Sequence, residues 1–161
     1  CISYGCVLNG CIEDVRNIKH LLISRLGYAE QNITMLVDNI SSSFPSKQRI
    51  IQELTSLMNA TKSGDTSFVW YSGHGAQLEN ASSDGGFNEC WCPPDTIDSG
   101  DYLTDDTLNS IVKSAPLNST VFVGSDSCHS ATVFDLEYIA MEEDGLNSNR
   151  SLLSIRGKLR F

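Results

Sequence analysis

Two segments each place one reactive side chain just past an apolar run. They are Thr66-Ser-Phe-Val-Trp-Tyr-Ser-Gly-His74-Gly75 and Ser119-Thr-Val-Phe-Val-Gly-Ser-Asp-Ser-Cys128-His-Ser130. An apolar, β-rich run that breaks into small polar residues reads as a buried strand and its exit loop. In open α/β sheets, sites form outside the carboxyl ends of the strands. The pattern therefore predicts an imidazole (His74) and a thiol (Cys128) at the same edge of one sheet. A cysteine nucleophile needs this arrangement, because thiolate is the attacking species and a neighbouring imidazole can take its proton and later return it to a leaving amine. The chemistry implied is that of a cysteine peptidase. Ser127, His129 and Ser130 around Cys128 are unlike the core surroundings of an inert cysteine. Gly73 and Gly75 flank His74 and suggest close backbone approach to a ligand. His129 is expected to point away from its neighbour Cys128 and has no assigned catalytic role.

The elements that would position these groups alternate between strand and helix. Residues 1–4 read as the remnant of a first strand. A helix is expected over 14–26, with Val15, Ile18, Leu22 and Leu26 on one stripe and Gly27 as its stop. Residues 33–37 read as the next strand. Residues 46–60 form a second amphipathic helix through Ile50, Ile51, Leu54, Leu57 and Met58, with Pro45 near its start. Strand 66–71 then presents His74. Residues 78–101 are polar and Gly/Asp-rich, a long connection of the kind that is usually functional or disordered. Asp105 or Asp106 opens a third helix through Leu108, Ile111 and Val112, closed by Pro116, and strand 121–124 presents Cys128. Such alternation predicts a mainly parallel sheet covered on both faces.

At 161 residues the chain suits one domain with a sizeable core. It has no apolar run long enough to span a membrane and no initiator Met or secretory apolar segment. It opens as though inside a strand, so it reads as a fragment of a longer protein. A net charge of −9 without a basic cluster speaks against nucleic acid as a partner. The six cysteines lack paired Cys-x-x-Cys zinc spacing, and reduced thiols in a cytoplasmic protein are the default. Asn32, Asn39, Asn59, Asn80, Asn118 and Asn149 each head an Asn-x-Ser/Thr sequon, a frequent chance match in a Ser/Thr-rich chain.

Tyr71-Ser72-Gly73-His74-Gly75 and Asp126-Ser127-Cys128-His129-Ser130 closely resemble the His and Cys motifs of metacaspases, caspase relatives of fungi, plants and protists. The two residues lie 54 positions apart, in keeping with a His about 50 residues before the Cys in caspase-type enzymes. The animal-caspase string Gln-Ala-Cys-x-Gly is absent. The resemblance runs from about Tyr4 to Tyr138 and includes Gly10-Cys11-Ile12-Glu13-Asp14 and Tyr102-Leu-Thr-Asp105-Asp106. It implies a caspase-like α/β/α sandwich over residues 1–138, followed by a tail (139–161) in place of the smaller second segment that normally adds strands to the sheet.

The same resemblance implies the site. His74 and Cys128 would form the catalytic dyad, and the backbone N–H groups of Gly75 and Cys128 the oxyanion donors. Cys11, Asp14, Ser72 and Asp126 would line a pocket for Arg or Lys at P1, where a carboxylate meets a guanidinium. Type I metacaspases bind activating calcium, for which Asp105, Asp106 and Asp135 match three ligand positions. Asn88 stands at the fourth, with Glu89 as a substitute, which implies low-affinity Ca²⁺ binding by hard oxygens. No organic cofactor is implied. Partners would be protein or peptide substrates, with the protein monomeric and engaged in stress or cell-death proteolysis. Arg150, Arg156 and Lys158 mark a stretch where self-processing could fall.

Two departures supply a rival reading. Ala131 follows Cys-His-Ser where the family usually has Gly, a change that strains the loop if that position needs φ > 0. The missing carboxyl-terminal segment removes part of a substrate groove. Both fit a catalytically impaired pseudoprotease that serves as a caspase-like binding or scaffold domain. A third reading is another caspase-clan peptidase, legumain-like or gingipain-like.

Overall fold

The computed structural model describes residues 8–79 and 87–128, and the backbone of Ser154–Ile155. Helices α1 (Cys11–Ser24), α2 (Lys47–Ala60) and α3 (Asp105–Lys113) alternate with strands β1 (Thr66–Ser72), β2 (Gly75–Glu79), β3 (Phe87–Trp91), β4 (Leu103–Thr104), β5 (Thr120–Asp126) and β6 (Ser154–Ile155). β1 and β5 run parallel over their whole length, from Thr66 opposite Thr120 to Ser72 opposite Asp126. β6 pairs antiparallel to the other edge of β5, through Ile155 opposite Phe122. A second, antiparallel sheet has the order β2-β3-β4. The α/β class with a parallel pair at its heart is the expected one.

Local chemistry explains the helix ends. α1 begins at Cys11, three residues ahead of the predicted Asp14, because Gly10 turns the chain at φ 115°, a conformation closed to most side chains. It stops where Gly27 takes φ 75°, as a left-handed terminator does. α2 starts as predicted: Ser46 caps it, its hydroxyl accepting from the Arg49 amide at 3.2 Å. α3 carries Asp105 and Asp106 in its first turn, where the helix dipole favours negative charge.

The core lies between α2, α3 and one face of the sheet. Ile50, Leu54 and Met58 of α2 pack with Leu108 and Val112 of α3, Val69 of β1, Val121 and Val123 of β5, and with Trp91 and Leu103. Met58, Leu103 and Leu108 are fully buried, each contributing about 1.5–3 kcal/mol by burial. Elsewhere on the sheet Phe68 stacks on Phe122 with centroids 4.7 Å apart. Trp70 lies over Gly124, where a Cβ would come within 2.4 Å of its ring.

Two sequence expectations are corrected. Residues 33–37 join no ladder among the described residues; they are extended, with the Val37 amide donating to the Ser43 carbonyl at 2.8 Å. Both they and β1 line a cavity of about 920 Å³, which Leu22, Ile50 and Leu54 also border. A β-prone sequence forms a ladder only where a partner strand lies alongside. The expected strand at 1–4 lies outside the described residues. The second correction concerns 78–101, which is no plain loop: β3 falls within it and β4 follows directly after. Its polar composition conceals a buried strand, since Glu89, Cys90 and Trp91 are all inside. Among the described residues no helix is long and apolar enough to cross a membrane.

Candidate active site

The parallel register decides what meets at the sheet edge. Ser72 and Asp126 sit opposite each other as the last residues of β1 and β5. One further bond, from the Gly73 amide to the Asp126 carbonyl at 3.2 Å, holds the two exits together. His74 and Cys128 each follow two residues beyond that paired end, on adjacent exits of one sheet. His74 is half-buried and Cys128 exposed. A second thiol lies close by: the Cys92 amide donates to the His74 carbonyl at 3.0 Å. Burial first, then Cys90 and Cys128, pushes the Cys92 thiol up to about 12.

The predicted pocket residues converge in part. Cys11 and Asp14 occupy the first turn of α1, three residues apart and so on one face. Asp14 does not cap its helix. Its Oδ2 accepts from the Ser72 hydroxyl at 3.1 Å, across 58 residues of sequence. Cys11, Ser72 and His74 line the same cavity. Asp126 is exposed at the end of β5, across the register from Ser72.

Around His74 the backbone is firmly held. The Tyr71 hydroxyl donates to the His74 carbonyl at 2.8 Å, and the Tyr71 ring stacks on Trp91 with centroids 4.4 Å apart. Trp91 is itself anchored, its indole N–H donating to the Ser125 hydroxyl at 3.0 Å. Gly73 answers to this arrangement: a Cβ there would lie 2.7 Å from the Tyr71 hydroxyl oxygen and 2.8 Å from Cζ. The close approach that calls for glycine at 73 is thus to Tyr71, not to a ligand. Gly75 opens β2 opposite Trp91. The bond beside this pair runs from Cys92 to His74, so Gly75–Trp91 is a non-hydrogen-bonded pair and the Gly75 N–H is turned away from β3.

The predicted cation ligands are also partly assembled. Asn88 on β3 and Asp106 on α3 approach each other, with the Asn88 amide nitrogen 3.5 Å from Asp106 Oδ2. Asp105 is buried, and each of its oxygens accepts a backbone amide, from Glu89 at 3.0 Å and Asp106 at 2.7 Å. Among the described residues no group of three or more His, Cys, Asp or Glu converges on one point. Asp135 lies outside the described residues, as do His129, Ala131, Arg150, Arg156 and Lys158.

A family model described as metacaspase, peptidase C14 domain, matches residues 1–137. The chain belongs to the metacaspase family. This metacaspase is 40% identical to Metacaspase-6 of Arabidopsis thaliana over 132 residues, which cover 80% of this chain and 35% of the relative. It is 34% identical to a Metacaspase-1 of Cryptococcus neoformans over 161 residues, covering 98% of this chain and 35% of the relative. Its fold is similar to the crystal structure of protein GSU0716 from Geobacter sulfurreducens, with a TM-score of 0.62 at 31% identity, over 78% of this chain and 44% of that one. The metacaspase chain spans about a third of the length of the curated relatives it matches. Family membership makes the caspase-like α/β reading of the fold secure and sets the chain among cysteine-type peptidases.

Sequence reasoning passed over Tyr71, Trp91 and Cys92 as site neighbours. Tyr71 lies inside the His motif, at the end of an apolar run whose pattern marks it as strand. The available signal was its period-2 placement: two residues from Val69, it faces the core side, where a phenol must find an acceptor.

Proposed function

We propose that this chain carries the catalytic centre of a cysteine endopeptidase that cleaves after Arg or Lys. One observation carries the reading: the Ser72–Asp126 register, which delivers His74 and Cys128 to the same sheet edge beside the Asp14–Ser72 contact. Cys128 as thiolate attacks the scissile carbonyl, and His74 first supports the thiolate and then protonates the departing amine. The N–H groups of Gly75 and Cys128 receive the oxyanion. Support for Gly75 is the outward aim of its amide. Asp14 and Asp126 are the carboxylates available to hold a P1 guanidinium or ammonium, with Cys11 and Ser72 lining the approach.

Calcium is part of the proposal. Asp105, Asp106, Asn88 and Asp135 are the residues that would hold it, with Glu89 in reserve. The ion would supply fixed positive charge that orders the loops joining β3, α3 and the segment after Cys128. The neutral amide of Asn88 lowers the charge of the set, which is consistent with weak binding.

The test is turnover of a fluorogenic peptide with Arg at P1 by the intact protein, with and without millimolar Ca²⁺, beside an Asp-P1 peptide and a Cys128→Ala variant. Calcium-dependent cleavage after Arg alone, lost in Cys128→Ala, is the expected result. A folded protein that cleaves neither peptide would overturn the peptidase reading in favour of a binding domain.

A further inference from the structure

The His74–Gly75 peptide unit is pinned through its carbonyl. Its carbonyl accepts two donors, the Tyr71 hydroxyl at 2.8 Å and the Cys92 amide at 3.0 Å. Peptide bonds in the described chain are trans, so the C=O and N–H of one unit point in opposite directions. Fixing the carbonyl toward Tyr71 and β3 therefore fixes the Gly75 N–H toward the opposite side, away from β3. A carbonyl that accepts two hydrogen bonds also polarises its own peptide unit and makes the attached N–H a better donor.

We infer that Tyr71 is a positioning residue for the reaction: its hydroxyl, held by the Trp91 stack, sets the plane of the His74–Gly75 peptide and so aims and strengthens the Gly75 oxyanion donor. The inference rests on the proposed peptidase reading, in which Gly75 supplies that donor.

Three features of the structure agree. The hydroxyl is not placed by chance, because Tyr71 stacks on a Trp91 that is only 2% exposed and tethered to Ser125. Position 73 lacks the Cβ that would collide with that hydroxyl. Burial also drives the phenol pKa up, so the hydroxyl remains a donor throughout the working range. Tyr71 touches neither substrate nor the reacting atoms in this scheme; it acts through the peptide unit.

Tyr71→Phe removes the hydroxyl and keeps the ring. On the intact protein, four readouts separate positioning from mere support: kcat, KM, the affinity of a peptidyl-argininal aldehyde, and the rate of Cys128 alkylation by iodoacetamide. The aldehyde adds the Cys128 sulfur to its carbonyl and places an oxygen where the oxyanion forms; alkylation has no oxyanion. Expected is a fall in kcat of about 5- to 20-fold, below the 10²–10³ of deleting a direct donor. Aldehyde affinity should fall by the same factor, with KM within about twofold and alkylation unchanged. Gly73→Ala, which displaces the hydroxyl, should reproduce the pattern and serves if Tyr71→Phe melts too low to assay. Unchanged kcat and aldehyde affinity, or alkylation slowing in step with kcat, overturns the role of Tyr71. A wild type that neither cleaves the peptide nor binds the aldehyde overturns the peptidase reading and this inference with it, and the wild-type arm alone reveals that case.

Discussion

The carboxylate of Asp105 joins two elements that the sequence separates by 16 residues: Oδ2 accepts the Glu89 amide of β3 while Oδ1 accepts the Asp106 amide at the start of α3. At 4% exposure these bonds are shielded from water, and bonds to a charged acceptor contribute about 1.5–3 kcal/mol each. Asp105→Ala strands both amides. Its expected cost is about 3 kcal/mol, a Tm lowered by roughly 6–12 °C for a chain of this size, read by thermal melting in the presence of a chelator so that no cation contributes. Asp105→Asn retains an acceptor and should lose less.

Asp106 is the opposite case. It is exposed, and among the described residues its carboxylate meets the Asn88 amide at 3.5 Å. Asp106→Ala should leave Tm within the shift expected for about 0.5 kcal/mol yet raise the calcium concentration needed for half-maximal cleavage roughly tenfold, by loss of a charged ligand. A calcium titration of peptide turnover checks it.

The acids near the paired strand ends should govern specificity. Asp126→Asn and Asp14→Asn each remove one charge available to a P1 guanidinium, so kcat/KM for an Arg-P1 peptide should fall roughly 10- to 100-fold, in line with about 1.5–3 kcal/mol for a charge-assisted bond. Ser72→Ala, which takes away only the hydroxyl that orients Asp14, should cost a few-fold. Steady-state kinetics with Arg and Ala at P1 separates loss of charge recognition from general damage.

Two buried thiols make the fold sensitive to alkali. Burial, then the charges of Asp105 and Glu89, pushes Cys90 from an ordinary 9.0 up to about 11. Burial, then Cys90 and Cys128, pushes Cys92 up to about 12. Below pH 9 both thiols are protonated in folded and unfolded chain alike and leave stability unchanged. Between 9 and 12 the unfolded chain releases protons that the folded chain must keep, so the unfolded state gains and stability falls as pH rises. Tm should decline from about pH 9 upward, and Cys92→Val should make the decline shallower. At neutral pH iodoacetamide should modify exposed Cys128 well before Cys90 or Cys92.

The strands that present His74 and Cys128 were legible because each is an apolar run ending in small polar residues, and α2 because Ile50, Leu54 and Met58 recur at helical spacing. The beginning of α1 was not, since Gly10 determines it through a backbone angle that no periodicity reveals. β3 escaped notice because its burial depends on what surrounds it: Glu89 and Cys90 look like loop residues until α3 packs against them. Tyr71 escaped for a related reason. Its bond to the His74 carbonyl spans three residues, but only the turn at Gly73 folds the carbonyl back within reach. The strand expected at 33–37 has the right residues and, among those described, no neighbour to pair with.

The cavity along β1 has a consequence for handling the protein. Among the described residues one edge of β1 carries no strand, and apolar side chains border the trench beside it. A net charge of −9 keeps whole molecules apart, but it acts weakly on a groove with oily walls. Solubility at high concentration is therefore set by what lies in that trench: a strand from the same molecule seals it, while an open trench invites a strand from the next molecule, the first step of edge-to-edge aggregation.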